Sequence, residues 1–130
     1  MQIDTALILC AGFGKRLLPL TKTEPKPLLK IGETTLLEKT IKLIEQIKIK
    51  KIKINIFYLS DEIKKFVKQL NTNIDIELIE DGNEILDTGG GIINMIKDSN
   101  EENFLVFNPD TIWNESYNKY ILEMTNFYFT

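Results

Sequence analysis

The chain has 130 residues, which suits one domain, and its hydrophobic content of 43% is enough for a packed core. No apolar run approaches the roughly 20 residues that a membrane span needs, so we expect a soluble, cytoplasmic protein. There is no histidine and only one cysteine, Cys10, which excludes serine–histidine and cysteine–histidine catalysis, zinc sites built on imidazole, and an internal disulfide.

Charge is distributed unevenly along the chain, although the net charge is only −3. Residues 1–53 carry 11 Lys and Arg against 5 Asp and Glu, whereas residues 54–130 carry 5 against 14. This asymmetry would draw an anionic substrate to the first part and a metal ion to the second. For most of the individual lysines, an ordinary solvated surface is an equally good explanation.

The first predicted element is a buried strand of a parallel sheet at Thr5–Ala11, a short apolar run that ends at a glycine. Gly12-Phe13-Gly14 follows, where the chain can turn sharply and bring backbone N–H groups against a ligand. A regular helix is excluded through most of Leu18–Leu28 by three prolines: Pro19, Pro25 and Pro27. We therefore expect a shaped loop in this segment.

The rest of the chain alternates between helices and strands. In chain order we predict a helix at Thr34–Ile47, a strand at Lys51–Leu59, a helix at Asp61–Leu70, a strand at Ile74–Ile79, a helix from the glycines at 89–91 to Lys97, a strand at Phe104–Phe107 and a helix at Ser116–Met124. Thr34 or Thr35 is the expected N-cap of the first helix, and Ser60 that of the second. This alternation implies a parallel α/β sheet with right-handed crossovers.

Three segments are expected to meet in one crevice, because ligands of open α/β sheets bind beyond the carboxyl ends of the strands. The first strand leads to Gly12–Arg16, the third to Glu80–Gly91 and the fourth to Asp110. A G-x-G pattern alone is equally explained by a tight turn. It is not a Walker loop and lacks the third glycine of a dinucleotide fingerprint.

Two cations near the glycines indicate a phosphate site. Arg16 offers a rigid fork suited to phosphate oxygens. Lys26 stands between Pro25 and Pro27, where the backbone has little freedom; this favours a phosphate ligand over the alternative of an ordinary surface lysine. Lys15 and Lys22, taken alone, are better explained as solvated cations.

The later motifs complete the expected site. Asp110 follows a predicted strand end and is a suitable Mg²⁺ ligand beside bound phosphate, although alone it reads as a turn aspartate. The triple glycine at 89–91 is either a flexible link or a backbone contact for a flat or anionic ligand at a helix start.

Three motifs resemble a known family. Leu9–Leu29, L-C-A-G-F-G-K-R-L-L-P-L-T-K-T-E-P-K-P-L-L, is similar to the signature of the sugar-phosphate nucleotidyltransferases. Asp87–Ile92 and Asn108–Trp113 resemble the branch that contains N-acetylmuramate α-1-phosphate uridylyltransferase and mannose-1-phosphate guanylyltransferases. The resemblance covers nearly all 130 residues. It implies a Rossmann-like three-layer α/β sandwich with a mostly parallel sheet, of which residues 1–130 form the nucleotide-binding part.

The resemblance also implies roles for individual residues. The nucleotide would be contacted by Leu9, Ala11, Gly12, Gly14 and Lys15. Arg16 would bind the triphosphate, and Lys26 would neutralise charge at the reacting phosphates. Thr88, Gly89 and Gly90 would lie along the base and ribose, and Asp110 would hold Mg²⁺.

The reaction implied is transfer of a nucleoside monophosphate, UMP by first preference, from UTP or GTP to a sugar 1-phosphate with release of pyrophosphate. Positioning and charge neutralisation are most of what such a reaction needs, so the lack of histidine is no obstacle. Neither nucleic acid nor a membrane is an expected partner. The alternative is a non-catalytic nucleotide-binding remnant or regulatory module, suggested by the aromatic C-terminal segment Asn126–Thr130, where we expect the fold to be cut short.

Overall fold

The computed structural model of the protein describes residues 3–111, 114 and 116–129. Its strands are β1 (Thr5–Leu9), β2 (Lys30–Ile31), β3 (Thr34–Thr35), β4 (Lys51–Ile56), β5 (Asp75–Glu80) and β6 (Leu105–Phe107). Its α-helices are α1 (Leu36–Glu45), α2 (Ser60–Gln69), α3 (Thr88–Ile96) and α4 (Ser116–Phe129). The proline-rich loop forms three short 3-10 helices, at Lys15–Leu17, Leu20–Lys22 and Lys26–Leu28.

The main sheet has the strand order β5-β4-β1-β6 with every pair parallel, which confirms the predicted parallel sheet. The chain runs outward from β1 to β4 and β5, then crosses back to place β6 on the other side of β1. The direction of winding therefore reverses between β1 and β6. In open α/β sheets this reversal opens a crevice at the carboxyl ends of the two strands.

One face of the sheet carries the main hydrophobic core. Helices α1 and α2 cover it with apolar side chains at helical spacing, and α1 is amphipathic as predicted. The fully buried members of this core are Ala6, Ile8, Leu37, Ile41, Ile44, Ile52, Ile54, Ile56 and Ile63. The predicted inner face of the second helix is confirmed, since Phe66, Val67 and Leu70 also pack against this core.

The opposite face of β4 is polar and is covered by α3. Lys53 and Asn55 alternate with the buried isoleucines of β4, and both are nearly fully buried. Lys53 Nζ donates to the Met95 carbonyl oxygen at 2.9 Å, near the C-terminal end of α3. Helices on both faces of a mostly parallel sheet give the three-layer architecture that the family resemblance implied.

Several predicted boundaries change in the structure. Thr35 is the N-cap of α1, because its Oγ1 accepts a hydrogen bond from the Glu38 N–H at 3.0 Å. The prediction that Ser60 is the N-cap of α2 is wrong. Leu59 occupies the N-cap position at φ 50°, and Ser60 is already the first residue of the helix. Asp61 and Glu62 in the first turn complement the helix dipole in place of a capping side chain.

Two further differences concern short or late elements. The hairpin of β2 and β3 was not predicted, because each strand has only two residues and so shows no periodic pattern. Gly32, at φ 70°, lies in the turn of this hairpin. Helix α4 continues to Phe129, beyond the predicted end at Met124. Ile112, Trp113 and Thr130, which belong to predicted motifs, lie outside the described residues. No helix in the described part of the chain is both long and apolar enough to cross a bilayer.

The capping of α1 generates a prediction. Thr35→Ala should lower the free energy of unfolding by about 1 kcal/mol, because the Glu38 N–H loses its acceptor. Thr34→Ala is the matched control, since Thr34 precedes the cap and should change stability by less than about 0.5 kcal/mol. Urea denaturation of both variants measures the difference, and equal losses would refute Thr35 as the cap.

Candidate active site

The loop after β1 begins with a residue held by the neighbouring strand. The Cys10 N–H donates to Asn55 Oδ1 at 2.7 Å, and both residues are buried. Burial also raises the pKa of the Cys10 thiol far above its ordinary value, so the thiol stays protonated. Cys10 is therefore a small core residue and not a reactive group.

Gly14 is required by the shape of the loop itself. Its φ is +63°, and a Cβ built on it would lie 2.9 Å from Thr21 Cγ2. The Gly14 carbonyl oxygen accepts a hydrogen bond from Thr21 Oγ1 at 2.7 Å. The close approach of this fully buried threonine leaves no room for a side chain at position 14.

Gly12 has a different environment from Gly14. Its φ lies outside the left-handed region, and an added Cβ would meet no atom within 4 Å. Nothing within the described protein therefore demands glycine at position 12. The space above Gly12 is open, and this residue lines a cleft.

Aromatic side chains support the loop from the end of β4. The Phe13 ring packs edge-on against Phe57 with centroids 5.9 Å apart and lies 5.3 Å from the Tyr58 ring. Tyr58 Oη donates to the Thr21 carbonyl oxygen at 2.7 Å, which ties the second 3-10 helix to the same support. Lys15 Nζ stands 5.4 Å from the centre of the Phe13 ring, at the range of a cation–π contact.

Lys26 starts the third 3-10 helix and is held by buried neighbours. Pro27 and Leu28 are buried, and the Leu28 N–H donates to the Pro25 carbonyl oxygen at 2.9 Å. Lys26 Nζ lies 2.8 Å from Asp110 Oδ2, across the point where the sheet reverses direction. The two side chains remain 34% and 45% exposed, so the pair contributes at most about 1 kcal/mol to stability.

Two clefts meet at Lys26. The smaller one, of about 170 Å³, is lined by Leu9, Cys10, Gly12, Gly14, Lys26, Pro27, Asn108, Pro109 and Asp110. The larger one, of about 400 Å³, is lined by Phe13, Gly14, Lys15, Arg16, Leu17 and Lys26. The larger cleft thus has three cationic side chains and no carboxylate among its lining residues. In the smaller cleft a single carboxylate faces a single cation.

The N-terminus of α3 is capped by a carboxylate of the protein itself. Asp87 is the N-cap, and its Oδ1 accepts a hydrogen bond from the Gly90 N–H at 2.5 Å. An anionic ligand would have to displace this carboxylate, so the first turn of α3 is better suited to a neutral group. Thr88 and Gly89 are exposed, and neither they nor Gly90 line the two clefts.

The structure therefore joins the predicted site residues in two groups. The loop after β1, Lys26 and Asp110 line the two clefts, whereas Thr88, Gly89 and Gly90 do not. Asn55 connects the two groups, because a Cβ added at Gly91 would lie 2.8 Å from Asn55 Nδ2. Asn55 and Tyr58 were not predicted to take part in the site, and Thr21 and Asn108 belonged to the quoted motifs without an individual role. The only signal for Asn55 was an uncharged polar residue within the isoleucine and lysine pattern of β4.

The residues present can hold a divalent cation only in part. Among the described residues no group of three or more Cys, Asp or Glu side chains is arranged around a metal position. Asp110 is the one carboxylate that lines the smaller cleft. A single carboxylate completed by ligand oxygens and waters is an arrangement that Mg²⁺ accepts.

Comparison with known proteins identifies the family. The sequence model of the nucleotidyl transferase family matches residues 5–126, so the chain belongs to this family. It is 37% identical over 124 residues to the bifunctional protein GlmU of Methanococcus maripaludis, covering 93% of this chain and 28% of that protein. It is 30% identical over 111 residues to the probable mannose-1-phosphate guanylyltransferase 1 of Oryza sativa, covering 82% of this chain and 31% of that protein.

A solved structure agrees with the fold. HddC from Yersinia pseudotuberculosis, complexed with GMP-PN, superposes with a TM-score of 0.79 at 29% sequence identity. The match covers 95% of this chain and 54% of HddC. The family and the α/β fold that the motifs implied are thus confirmed, while the chain spans only part of each of these relatives.

The contrast between the two glycines can be tested by stability alone. Gly14→Ala should lower the free energy of unfolding by about 1–3 kcal/mol, because it combines a left-handed φ with a clash against Thr21. Gly12→Ala should change it by less than about 0.5 kcal/mol, because the new methyl group enters open space. Thermal or urea unfolding measures both, and a Gly12 variant as unstable as the Gly14 variant would contradict the open space above Gly12.

Proposed function

We propose that residues 1–130 are the nucleotide-binding part of a nucleotidyltransferase domain that moves a nucleoside monophosphate from a nucleoside triphosphate to a sugar 1-phosphate and releases pyrophosphate. The observation that carries this proposal is the position of Lys26, which lines both clefts and pairs with Asp110 at the reversal of the sheet. A cation between a basic cleft and a carboxylate can act on a phosphate chain that crosses from one to the other. We also propose a cytoplasmic location.

The triphosphate is assigned to the larger cleft. Lys15, Arg16 and Lys26 line it, and their charge would compensate the phosphate oxygens. Arg16 would supply two parallel donors to phosphate oxygens. We assign the backbone of Leu9, Ala11, Gly12 and Gly14 to contacts with the nucleotide. The open space above Gly12 supports this role.

The base and ribose are assigned to the start of α3. Asp87 already caps this helix, and the preceding loop carries Asp81 and Glu84. These carboxylates would repel phosphates but not a neutral base. Thr88, Gly89 and Gly90 therefore suit the uncharged end of the nucleotide, which orients the triphosphate towards Lys26.

Magnesium is assigned to Asp110. Bound there, Mg²⁺ would neutralise charge on the phosphates and help align them. Lys26 Nζ pairs with the same carboxylate. In the proposed complex, phosphate oxygens would bind Lys26 instead and leave the Asp110 carboxylate to hold Mg²⁺. The modest strength of an exposed ion pair makes this exchange easy.

In the proposed reaction an oxygen of the sugar 1-phosphate attacks the α-phosphorus of the triphosphate, and the bond to the pyrophosphate breaks in line. The phosphate oxygen that attacks is already ionised, so no histidine is needed as a base. Lys26 stabilises negative charge at the reacting phosphates, and Arg16 holds the pyrophosphate that leaves.

Uridylyl transfer is the first candidate and guanylyl transfer the second. Two observations favour the second: one relative is named a mannose-1-phosphate guanylyltransferase, and the solved HddC structure contains GMP-PN. Competition between UTP and GTP for the same protein decides between them, since the preferred nucleotide displaces the other at lower concentration.

Substitutions at the proposed centre should stop the reaction. Lys26→Ala and Asp110→Ala are each expected to reduce pyrophosphate release by at least about 100-fold, because each removes charge compensation from the reacting phosphates. Release is measured in the presence of Mg²⁺, UTP or GTP, and sugar 1-phosphates.

Two variants that change the net charge by the same amount as these substitutions serve as controls. Lys22→Ala alters an exposed lysine of the same loop, and Asp98→Asn alters an exposed carboxylate after α3; both should retain activity within about twofold. Near-normal turnover of Lys26→Ala or Asp110→Ala would refute the role assigned to that residue.

The assignment of the glycine loop has its own test. Gly12→Ala should keep its stability yet weaken binding of Mg²⁺–UTP and Mg²⁺–GTP by about tenfold or more, because the methyl group occupies space meant for the nucleotide. Calorimetric titration measures the dissociation constants. Unchanged binding would remove Gly12 from the site, and binding without any product in the wild-type protein would favour the non-catalytic alternative.

A further inference from the structure

Asn55 is a buried polar residue that none of the proposed chemistry uses. It lies next to Leu9 in the register of β4 with β1, at the carboxyl end of the sheet, and is only 4% exposed. A buried amide is costly unless it is hydrogen-bonded, and an apolar side chain would fill the same place. Its presence therefore needs a reason.

The first contact of Asn55 is with the loop that faces the phosphates. Cys10 is the residue directly after β1, and its N–H donates to Asn55 Oδ1 at 2.7 Å. Two residues later the chain reaches Gly12, above which the cleft opens. Asn55 thus determines where the loop leaves the sheet.

The second contact of Asn55 is with α3. A Cβ added at Gly91 would lie only 2.8 Å from Asn55 Nδ2. Helix α3 therefore comes as close to Asn55 as it can, and only a glycine fits at position 91. Gly91 directly follows Gly89 and Gly90 in the first turn of α3, and its N–H donates to the Asp87 carbonyl oxygen at 2.8 Å. The amide of Asn55 therefore sets how close the start of this helix comes to β4.

We propose that Asn55 is a positioning residue whose amide fixes the spacing between the phosphate-facing loop after β1 and the base-facing start of α3. This inference rests on the proposed function, because it assigns the two ends of one nucleotide to these two segments. A nucleoside triphosphate spans both segments, so its affinity depends on the distance between them. Asn55 itself touches no ligand in this account.

Lys53 provides a matched control. It lies on the same strand and the same face, is buried to a similar extent at 8% exposed, and also bonds a backbone group, the Met95 carbonyl oxygen. It contacts the far end of α3 and neither cleft. Lys53→Met and Asn55→Leu each remove one buried hydrogen bond while keeping a side chain of similar length.

The test compares these variants in calorimetric titrations with Mg²⁺–UTP and Mg²⁺–GTP. Asn55→Leu should raise the dissociation constant of the preferred nucleotide by about tenfold, because the Cys10 N–H loses its acceptor and the loop shifts. Lys53→Met should lower the melting temperature as Asn55→Leu does, yet leave the dissociation constant within about twofold.

Amide hydrogen exchange without nucleotide gives an independent readout. Asn55→Leu should speed exchange at Cys10 by at least about tenfold relative to Lys53→Met, since only the first variant frees that N–H. Should Asn55→Leu not fold, Asn55→Ser replaces it with the same expectation, because serine is too short to reach Cys10.

The outcomes separate this inference from the function on which it rests. If the wild-type protein binds neither nucleotide, the proposed function fails and the inference falls with it. If the wild-type protein binds a nucleotide and Asn55→Leu binds it equally well, only the inference is overturned. Equal weakening by Lys53→Met would also overturn it, because the effect would then be a general loss of stability.

Discussion

The pairing of β1 on both of its edges is the constraint on which the rest of the site depends. β4 and β6 align in parallel with β1, so that Leu9 lies beside Asn55 and Ile8 beside Phe107. Because of this register, the loop after β1 leaves the sheet between the Asn55 amide on one side and the segment that carries Asp110 on the other. Lys26 reaches the same point from the proline-rich loop and forms an ion pair with Asp110.

Positive and negative side chains lie in different places around β1. The cationic residues Lys15, Arg16 and Lys26 gather on one side of the loop, whereas the start of α3 is capped by Asp87 and preceded by further carboxylates. A ligand with one strongly anionic end and one neutral end is oriented by such a field before any specific contact forms. The uneven distribution of charge along the sequence thus corresponds to two different surroundings, a cationic one at the loop after β1 and an acidic one at the start of α3.

Much of this arrangement could be predicted from the sequence, and the rest could not for identifiable reasons. The helices and main strands followed from periodicity, and Lys26 stood out because two prolines flank it. Asn55 did not stand out, because its role depends on the register of β4 against β1, and register is a property of the sheet that local sequence does not reveal. Ser60 was misassigned as a cap because the chain enters α2 through a left-handed Leu59, a conformation that leucine rarely adopts.

The glycines show the same division between local and tertiary information. The sequence indicates that Gly12 and Gly14 belong to one turn, but only the structure separates their roles. Gly14 is fixed by the approach of Thr21, whereas Gly12 borders open space. The residues of the triple glycine likewise have different environments, since Gly91 packs on Asn55 while Gly89 is exposed.

Nucleotidyl transfer to a sugar 1-phosphate is the activity that we propose for this protein, with residues 1–130 as its nucleotide-binding part. The most direct measurement is phosphorus NMR of the wild-type protein with Mg²⁺, UTP or GTP, and a panel of sugar 1-phosphates. The account predicts that resonances of pyrophosphate and of a nucleoside diphosphate sugar grow in equal amounts while those of the triphosphate decline. Release of inorganic phosphate in place of pyrophosphate, or the absence of any nucleotide binding, would contradict it.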